Sequence, residues 1–176
     1  MDAGEGRRAA AAAAVRPATD EDLDELVAHI WTVAAEGRSL GVEVPFDRDA
    51  RRARLGSTCS GESSTVLVAD TSASGGPGLV GYISVEIAPY GVADIGMLLI
   101  DGWRGRGLGT ALLDAAIAWA SGAGAHKMAL EVWPHNDAGI ALYRRAGFVE
   151  EGRKRRHYRR RNGEIWDSVL MGRPLP

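Results

Sequence analysis

The stretch Arg104-Gly105-Arg106-Gly107-Leu108-Gly109-Thr110 constrains this chain more than any other. It follows the apolar run Val92 to Ile100. It opens an amphipathic helix predicted over Gly107 to about Ala123, with Leu108, Leu112, Ala115 and Trp119 along one face. A glycine turn between strand and helix lines up backbone N–H groups at the positive end of a helix, a site for an anion. Gly107 and Gly109 remove side chains that would hold a phosphate off the backbone, and Arg104 and Arg106 add charge at the rim. The chemistry predicted is pyrophosphate binding. A dinucleotide fingerprint places a third glycine where Thr110 stands, and it lies near the first strand rather than past mid-chain. A P-loop requires a lysine before Thr110, and Gly109 is there instead. A plain glycine turn with incidental arginines is the third reading, and the turn alone does not choose among them.

The rest of the chain alternates strand and helix signals. Val15-Arg16-Pro17 reads as a short first strand. Thr19 caps a helix carrying Leu23, Leu26, Val27, Ile30, Trp31 and Ala34 at helical spacing, which Gly37 ends. Asp47 to Leu55 predicts a shorter helix. Ser64 to Asp70, Leu79 to Ala88, Val92 to Ile100 and Lys127 to Val132 predict strands. Asn136 caps a helix to Ala146 with Gly147 as its exit, and Phe148 to Arg155 and Ile165 to Met171 predict two closing strands. The order β-α-α-β-β-β-α-β-α-β-β implies a mixed α/β sheet of about seven strands flanked by helices, parallel where Val92 to Val132 forms a strand–helix–strand unit.

The 176 residues fit one domain, expected over 14–176 behind a mobile tail over 1–13. Arg7-Arg8 and Ala9 to Ala14 imitate a signal peptide, but Asp2, Glu5 and Arg16 spoil it, so a cytoplasmic protein is expected. The lone Cys59 suits a reducing compartment. A net charge of -2 gives no global pull towards nucleic acid or anionic membrane, and no apolar run approaches the roughly 20 residues of a membrane span.

Arg104-x-x-Gly107-x-Gly109 is joined downstream by Asn136 and then Ala141-Leu142-Tyr143-Arg144-Arg145-Ala146-Gly147-Phe148. In this order the two motifs resemble those of the GNAT N-acetyltransferase superfamily. The first is similar to that family's R/Q-x-x-G-x-G/A signature, the second to its Asn followed by A-L-Y-x-x-x-G-F. The motifs cover Val92 to Phe148, and the first half of the chain matches by element order alone. The resemblance implies that Arg104, Gly105, Arg106, Gly107, Leu108 and Gly109, with Thr110 at the end, cradle the pyrophosphate of acetyl-CoA as acyl donor. It implies that the strand through Met97, Leu98 and Leu99 pairs with the pantetheine arm and splays from Ala129 to Val132. Asn136 and Tyr143 then flank the thioester. No metal is implied.

Acyl transfer to an amine needs a neutral nucleophile. An alkyl ammonium with pKa about 10.4 is neutral only on the order of one part in a thousand at pH 7, so a base must take its proton. Asp94 is the first candidate base and Glu86 the second, while Glu43 is expected to reach the substrate pocket. Each has the alternative of a solvated surface carboxylate. Glu131 is discounted because strand alternation turns it from the cofactor, and His135 reads as a turn residue beside Pro134. Tyr143 is the candidate acid for the departing thiolate; its alternative is core packing with a hydroxyl bonded to backbone.

Arg153 to Arg161 forms a basic run before the hairpin turn Asn162-Gly163. It is expected to pair with acidic residues of this chain or of a second subunit in a homodimer, because only Tyr158 offers an aromatic platform for nucleic acid. The function expected is N-acetyl transfer to a primary amine, with an amino acid or related small molecule as acceptor. A non-catalytic coenzyme A sensor and a nucleic-acid module using residues 153–161 are the rival classes.

Overall fold

The computed structural model describes residues 13–176, so the tail expected over 1–13 lies outside the described residues except for Ala13. Among the described residues there are seven strands: β1 (Ala14–Pro17), β2 (Ser64–Asp70), β3 (Leu79–Ile87), β4 (Val92–Leu99), β5 (Lys127–Val132), β6 (Val149–Arg159) and β7 (Ile165–Pro174). They form one sheet in the order β1-β2-β3-β4-β5-β7-β6. The helices are α1 (Leu23–Ala35), α2 (Arg48–Ser60), α3 (Leu108–Gly122) and α4 (Asp137–Arg145). This is the mixed α/β architecture expected from the sequence.

The sheet buries both faces. Leu67, Ile83, Val85 and Met128 pack under α3 with Leu108, Leu112, Leu113 and Ala116. On the other face, Val66, Val68, Leu79 and Leu98 pack with Leu23, Leu26, Ile30 and Val33 of α1 and Leu55 of α2. β2 lies between these clusters, which is why its sequence from Thr65 to Ala69 is buried throughout rather than alternating.

Several elements outrun their predicted limits, β7 among them, which runs on from Met171 to Pro174. α2 continues past the predicted end at Leu55 to Ser60. The hydroxyls of Ser57, Thr58 and Ser60 donate back to the carbonyls of Ala53, Arg54 and Gly56, so these polar residues follow the helix. β6 continues through the basic run to Arg159, bending at irregularities between Glu150 and Gly152 and between Lys154 and Tyr158.

The first strand is tied down electrostatically. Arg16 donates two hydrogen bonds to Asp22 at 2.7 and 2.9 Å and reaches Asp70 at 2.9 Å, joining β1, the start of α1 and the end of β2. The Arg16 hydrogen bond is the main cause holding the Asp22 carboxyl at about 2, below its ordinary value. Because the folded state depresses this pKa, the stabilisation is present above the ordinary aspartate range. It is lost as pH falls from about 4 towards 2. The Arg16 side chain is 35% exposed, so solvent screening limits the effect to about 1 kcal/mol. Asp22→Asn is expected to lower unfolding free energy by that amount at pH 7. The gap from wild type should close in urea titrations near pH 2.

Candidate active site

The parallel pair at the centre of the sheet is short. β4 and β5 pair only through Val92 with Lys127, Ala93 with Met128 and Asp94 with Ala129. Beyond Asp94 the strands diverge, although β4 remains paired to β3 through Leu99 and β5 to β7 through Val132. The divergence opens a cavity of about 700 Å³ that passes from one face of the sheet to the other. Val33, Leu40 and Leu98 line it on the α1 side, and Gly109, Leu142 and Tyr143 on the α3–α4 side.

The glycine turn forms one wall. Gly107 takes φ +84° just before α3, a left-handed conformation that glycine adopts without a Cβ clash. It starts the helix with no side-chain cap, so the first N–H groups of α3 stay available at the cavity. Gly105, Gly107, Gly109 and Thr110 all line this wall. A Cβ on Gly109 would stand 3.0 Å from Leu142 Cδ2 and 3.7 Å from Leu99 Cδ1, so the bare backbone keeps the passage open there. The wall therefore fits an extended anion approaching main-chain amides.

The arginines of the turn do not act as a charged rim. Arg104 lines the cavity, but its guanidinium forms a two-pronged ion pair with Glu36 at 2.6 and 3.0 Å and donates from Nε to the Leu99 carbonyl. Its charge is committed to bracing the turn against the end of α1. Arg106 lies over the Trp103 ring, 5.0 Å from its centroid, and is not among the lining residues. The Leu108 side chain is fully buried in the core, so only its backbone remains for a ligand.

Met97, Leu98, Leu99, Asn136 and Tyr143 meet in the same cavity. Asn136 accepts a hydrogen bond from the Gly139 N–H at 3.0 Å, capping α4. Tyr143 is 8% exposed, with its ring 5.8 Å from that of Phe148. Its hydroxyl makes no hydrogen bond to the described residues, contrary to the packing alternative, and burial pushes its pKa up to about 12. The sequence reading missed Leu142 and Arg145, though both share a helical face with Ala138 that spacing from Asn136 would have revealed. It also missed Arg38, Ser39 and Leu40, which sit in the loop 36–47 without any motif to mark them.

The carboxylates separate into distinct environments. Asp94 shares the strand parity of Leu98 and so faces the α1–α2 side, at the last rung before the gap. It lines a neighbouring cleft of about 330 Å³ with Arg54, Glu86, Ile87 and Ala88. It has no hydrogen-bond partner among the described residues. Burial, then the charges of Glu86 and Glu131, raise its pKa. Glu86 pairs with Asp94 across the strands but is engaged by Arg54 at 3.1 Å and Thr58 at 3.4 Å. Glu131 lies on the same face as Asp94 and accepts from Lys154, Tyr158 and Ser168. Glu43 does not line the cavity; it accepts from the Arg161 N–H at 3.2 Å and pairs with Arg160 at 3.5 Å. His135 lines the cavity while its Nε2 lies 2.9 Å from the Arg38 carbonyl. Part of the basic run is satisfied internally, with Arg153 on Asp167, Lys154 on Glu131 and Arg160 on Glu43.

Known proteins share this architecture. The acetyltransferase (GNAT) family profile matches residues 39–148. An L-methionine sulfoximine/L-methionine sulfone acetyltransferase of Pseudomonas aeruginosa is 30% identical over 145 residues, covering 80% of this chain and 82% of that protein. The N-alpha-acetyltransferase RimI of Mycobacterium tuberculosis is 44% identical over 57 residues, 32% of this chain and 34% of its own. A solved phosphinothricin acetyltransferase of Sinorhizobium meliloti, in complex with AcCoA, superposes with a TM-score of 0.82 at 23% identity. That match covers 93% of this chain and 89% of the other. With its family profile spanning the strand gap and the glycine turn, and a relative matching over most of both lengths, the chain belongs to the GNAT family as a GNAT-type N-acetyltransferase.

Proposed function

We propose that this enzyme transfers the acetyl group of acetyl-CoA to the primary amine of an amino acid or a closely related small molecule. The observation that carries this reading is the cavity through the sheet. It sets a main-chain anion cradle against β4, the strand whose partnerless Asp94 carboxylate lines the neighbouring cleft. The acetyl-CoA bound by the S. meliloti structure and the amino-acid-like acceptors named for the P. aeruginosa relative support the two ends of it.

In this reading the N–H groups of the glycine turn hold the donor's pyrophosphate, and the gap side of β4 holds its pantetheine arm. Acetyl-CoA supplies the acyl group as a thioester. Asp94, beside two like charges, takes a proton from the acceptor ammonium, directly or through water. Backbone N–H groups of β4 left unpaired at the gap offer hydrogen bonds to the developing oxyanion. Tyr143 keeps its proton at neutral pH and gives it to the departing thiolate. Glu86, held by Arg54, sets the field at Asp94 rather than serving as the base.

Thiol release from acetyl-CoA across a panel of amines, including L-methionine sulfone, phosphinothricin and peptide N-termini, tests the proposal. Turnover is expected with at least one amino-acid-like amine, together with a higher melting temperature in acetyl-CoA. Stabilisation without turnover would identify a sensor instead, and no stabilisation would overturn the donor assignment. Tyr143→Phe deletes one hydroxyl and keeps the ring. It is expected to lower kcat by about 10- to 1,000-fold with little change in acetyl-CoA affinity. An unchanged rate, measured where chemistry limits turnover, would return Tyr143 to packing.

A further inference from the structure

Loop 36–47 contributes Arg38, Ser39 and Leu40 to the cavity wall, yet it has no regular structure of its own. Its carbonyls are held from the far end of the chain. Arg160 Nη1 donates to the Gly41 carbonyl at 2.9 Å and Nη2 to the Leu40 carbonyl at 3.3 Å. Its Nε lies 3.5 Å from Glu43. The same guanidinium lies 4.5 Å from the Trp166 ring centroid and 5.5 Å from that of Trp133. Arg160 is 5% exposed, whereas its neighbour Arg159 is exposed.

A buried guanidinium is tolerated only where its donors and charge are answered, and here two carbonyls, a carboxylate and two indole rings answer them. Arg161 extends the grip with donors to the carbonyls of Val44 and Pro45. Leu40 lies on the α1 side of the sheet, the side to which Asp94 turns.

We propose that Arg160 is a positioning residue for the acceptor: set against Trp133 and Trp166, it pins loop 36–47 as the acceptor-side wall of the cavity. The consequence for catalysis rests on the acetyl-transfer reading above; the pinning does not. A lysine cannot replace it fully, because one ammonium cannot span both carbonyls and reach Glu43 as the forked guanidinium does.

The experiment uses the full chain as wild type, Arg160→Lys, Arg160→Met and Arg161→Ala. Trypsin cleavage after Arg38 reads the pinning without any turnover. It is expected to quicken at least about five-fold in Arg160→Met, and an unchanged rate overturns the proposal. Acceptor KM is measured with L-methionine sulfone, or with whichever amine of the panel turns over faster, at saturating acetyl-CoA. Arg160→Met is expected to raise acceptor KM about ten-fold or more while acetyl-CoA affinity stays within about three-fold. Arg160→Lys should fall between Arg160→Met and wild type. Equal loss of donor and acceptor binding would make Arg160 a general structural residue and overturn its acceptor role. If Arg160→Met does not fold, the exposed Arg161→Ala decides, with the same directions of change expected. A wild type without turnover on any amine would fail the acetyl-transfer reading and leave the cleavage result standing on its own.

Discussion

Asp94→Asn is expected to slow acetyl transfer by about 100- to 10,000-fold at pH 7 while making the folded protein more stable. The two effects share one cause. Burial and the nearby charges of Glu86 and Glu131 raise the Asp94 pKa in the folded protein. A raised carboxyl pKa means that folding favours the protonated form. That contribution is fully present below the ordinary aspartate range and is lost as pH rises through the folded-state value. At neutral pH the ionised group therefore opposes folding, and asparagine removes the opposition. Melting temperatures should show Asp94→Asn above wild type at pH 7, with the difference gone below about pH 4.

The rate deficit has its own pH signature. Solution supplies more neutral amine as pH approaches about 10, so the deficit should shrink there if Asp94 is the base. A deficit constant across pH would make Asp94 a residue that positions the acceptor. Glu86→Gln and Glu43→Gln are the parallel variants. The ion pairs of both glutamates predict smaller losses for them, and a larger loss in either would move the base to that residue.

Gly109→Val is expected to weaken acetyl-CoA binding at least 100-fold, about 2.7 kcal/mol, with the fold retained. Gly109 lies in the first turn of α3 with ordinary helical backbone, where valine is tolerated at least as well as glycine. Side chains of the cavity wall close over its Cα, and a Cβ would already press on Leu142 at 3.0 Å and meet Leu99 at 3.7 Å. A branched side chain would move the donor away from the amides. Calorimetric titration with acetyl-CoA checks the affinity, and an unliganded melting curve checks the fold. Wild-type affinity in this variant would mean that the donor does not approach the turn.

What could be read from the sequence was local. The glycine turn, the Asn136 cap and Tyr143 each lie within a few residues of the helix or strand that positions them, so their spacing carried their meaning. Arg104 could not be read in this way. Its charge looked free until the fold brought Glu36, 68 residues away, within 2.6 Å. Glu43 looked like a pocket residue for the same reason, since its partners Arg160 and Arg161 lie at the far end of the chain. Loop 38–40 was silent because a cavity wall made of irregular backbone has no period to detect. The basic run was expected to meet acidic residues of this chain or of a second subunit; Arg153, Lys154 and Arg160 meet residues of this chain, and which ones depended on the bends in β6.

The three rungs between β4 and β5 also bear on mechanics. Among the described residues they are the only strand pairing between a four-stranded half-sheet, β1 to β4, and a three-stranded one, β5, β7 and β6. Backbone groups that neighbouring strands would otherwise satisfy are left facing the gap. A molecule lodged there acts as a removable seam, hydrogen-bonding to one half while its bulk spaces the other. On the donor placement proposed above, donor binding and the joining of the two half-sheets draw on the same free energy.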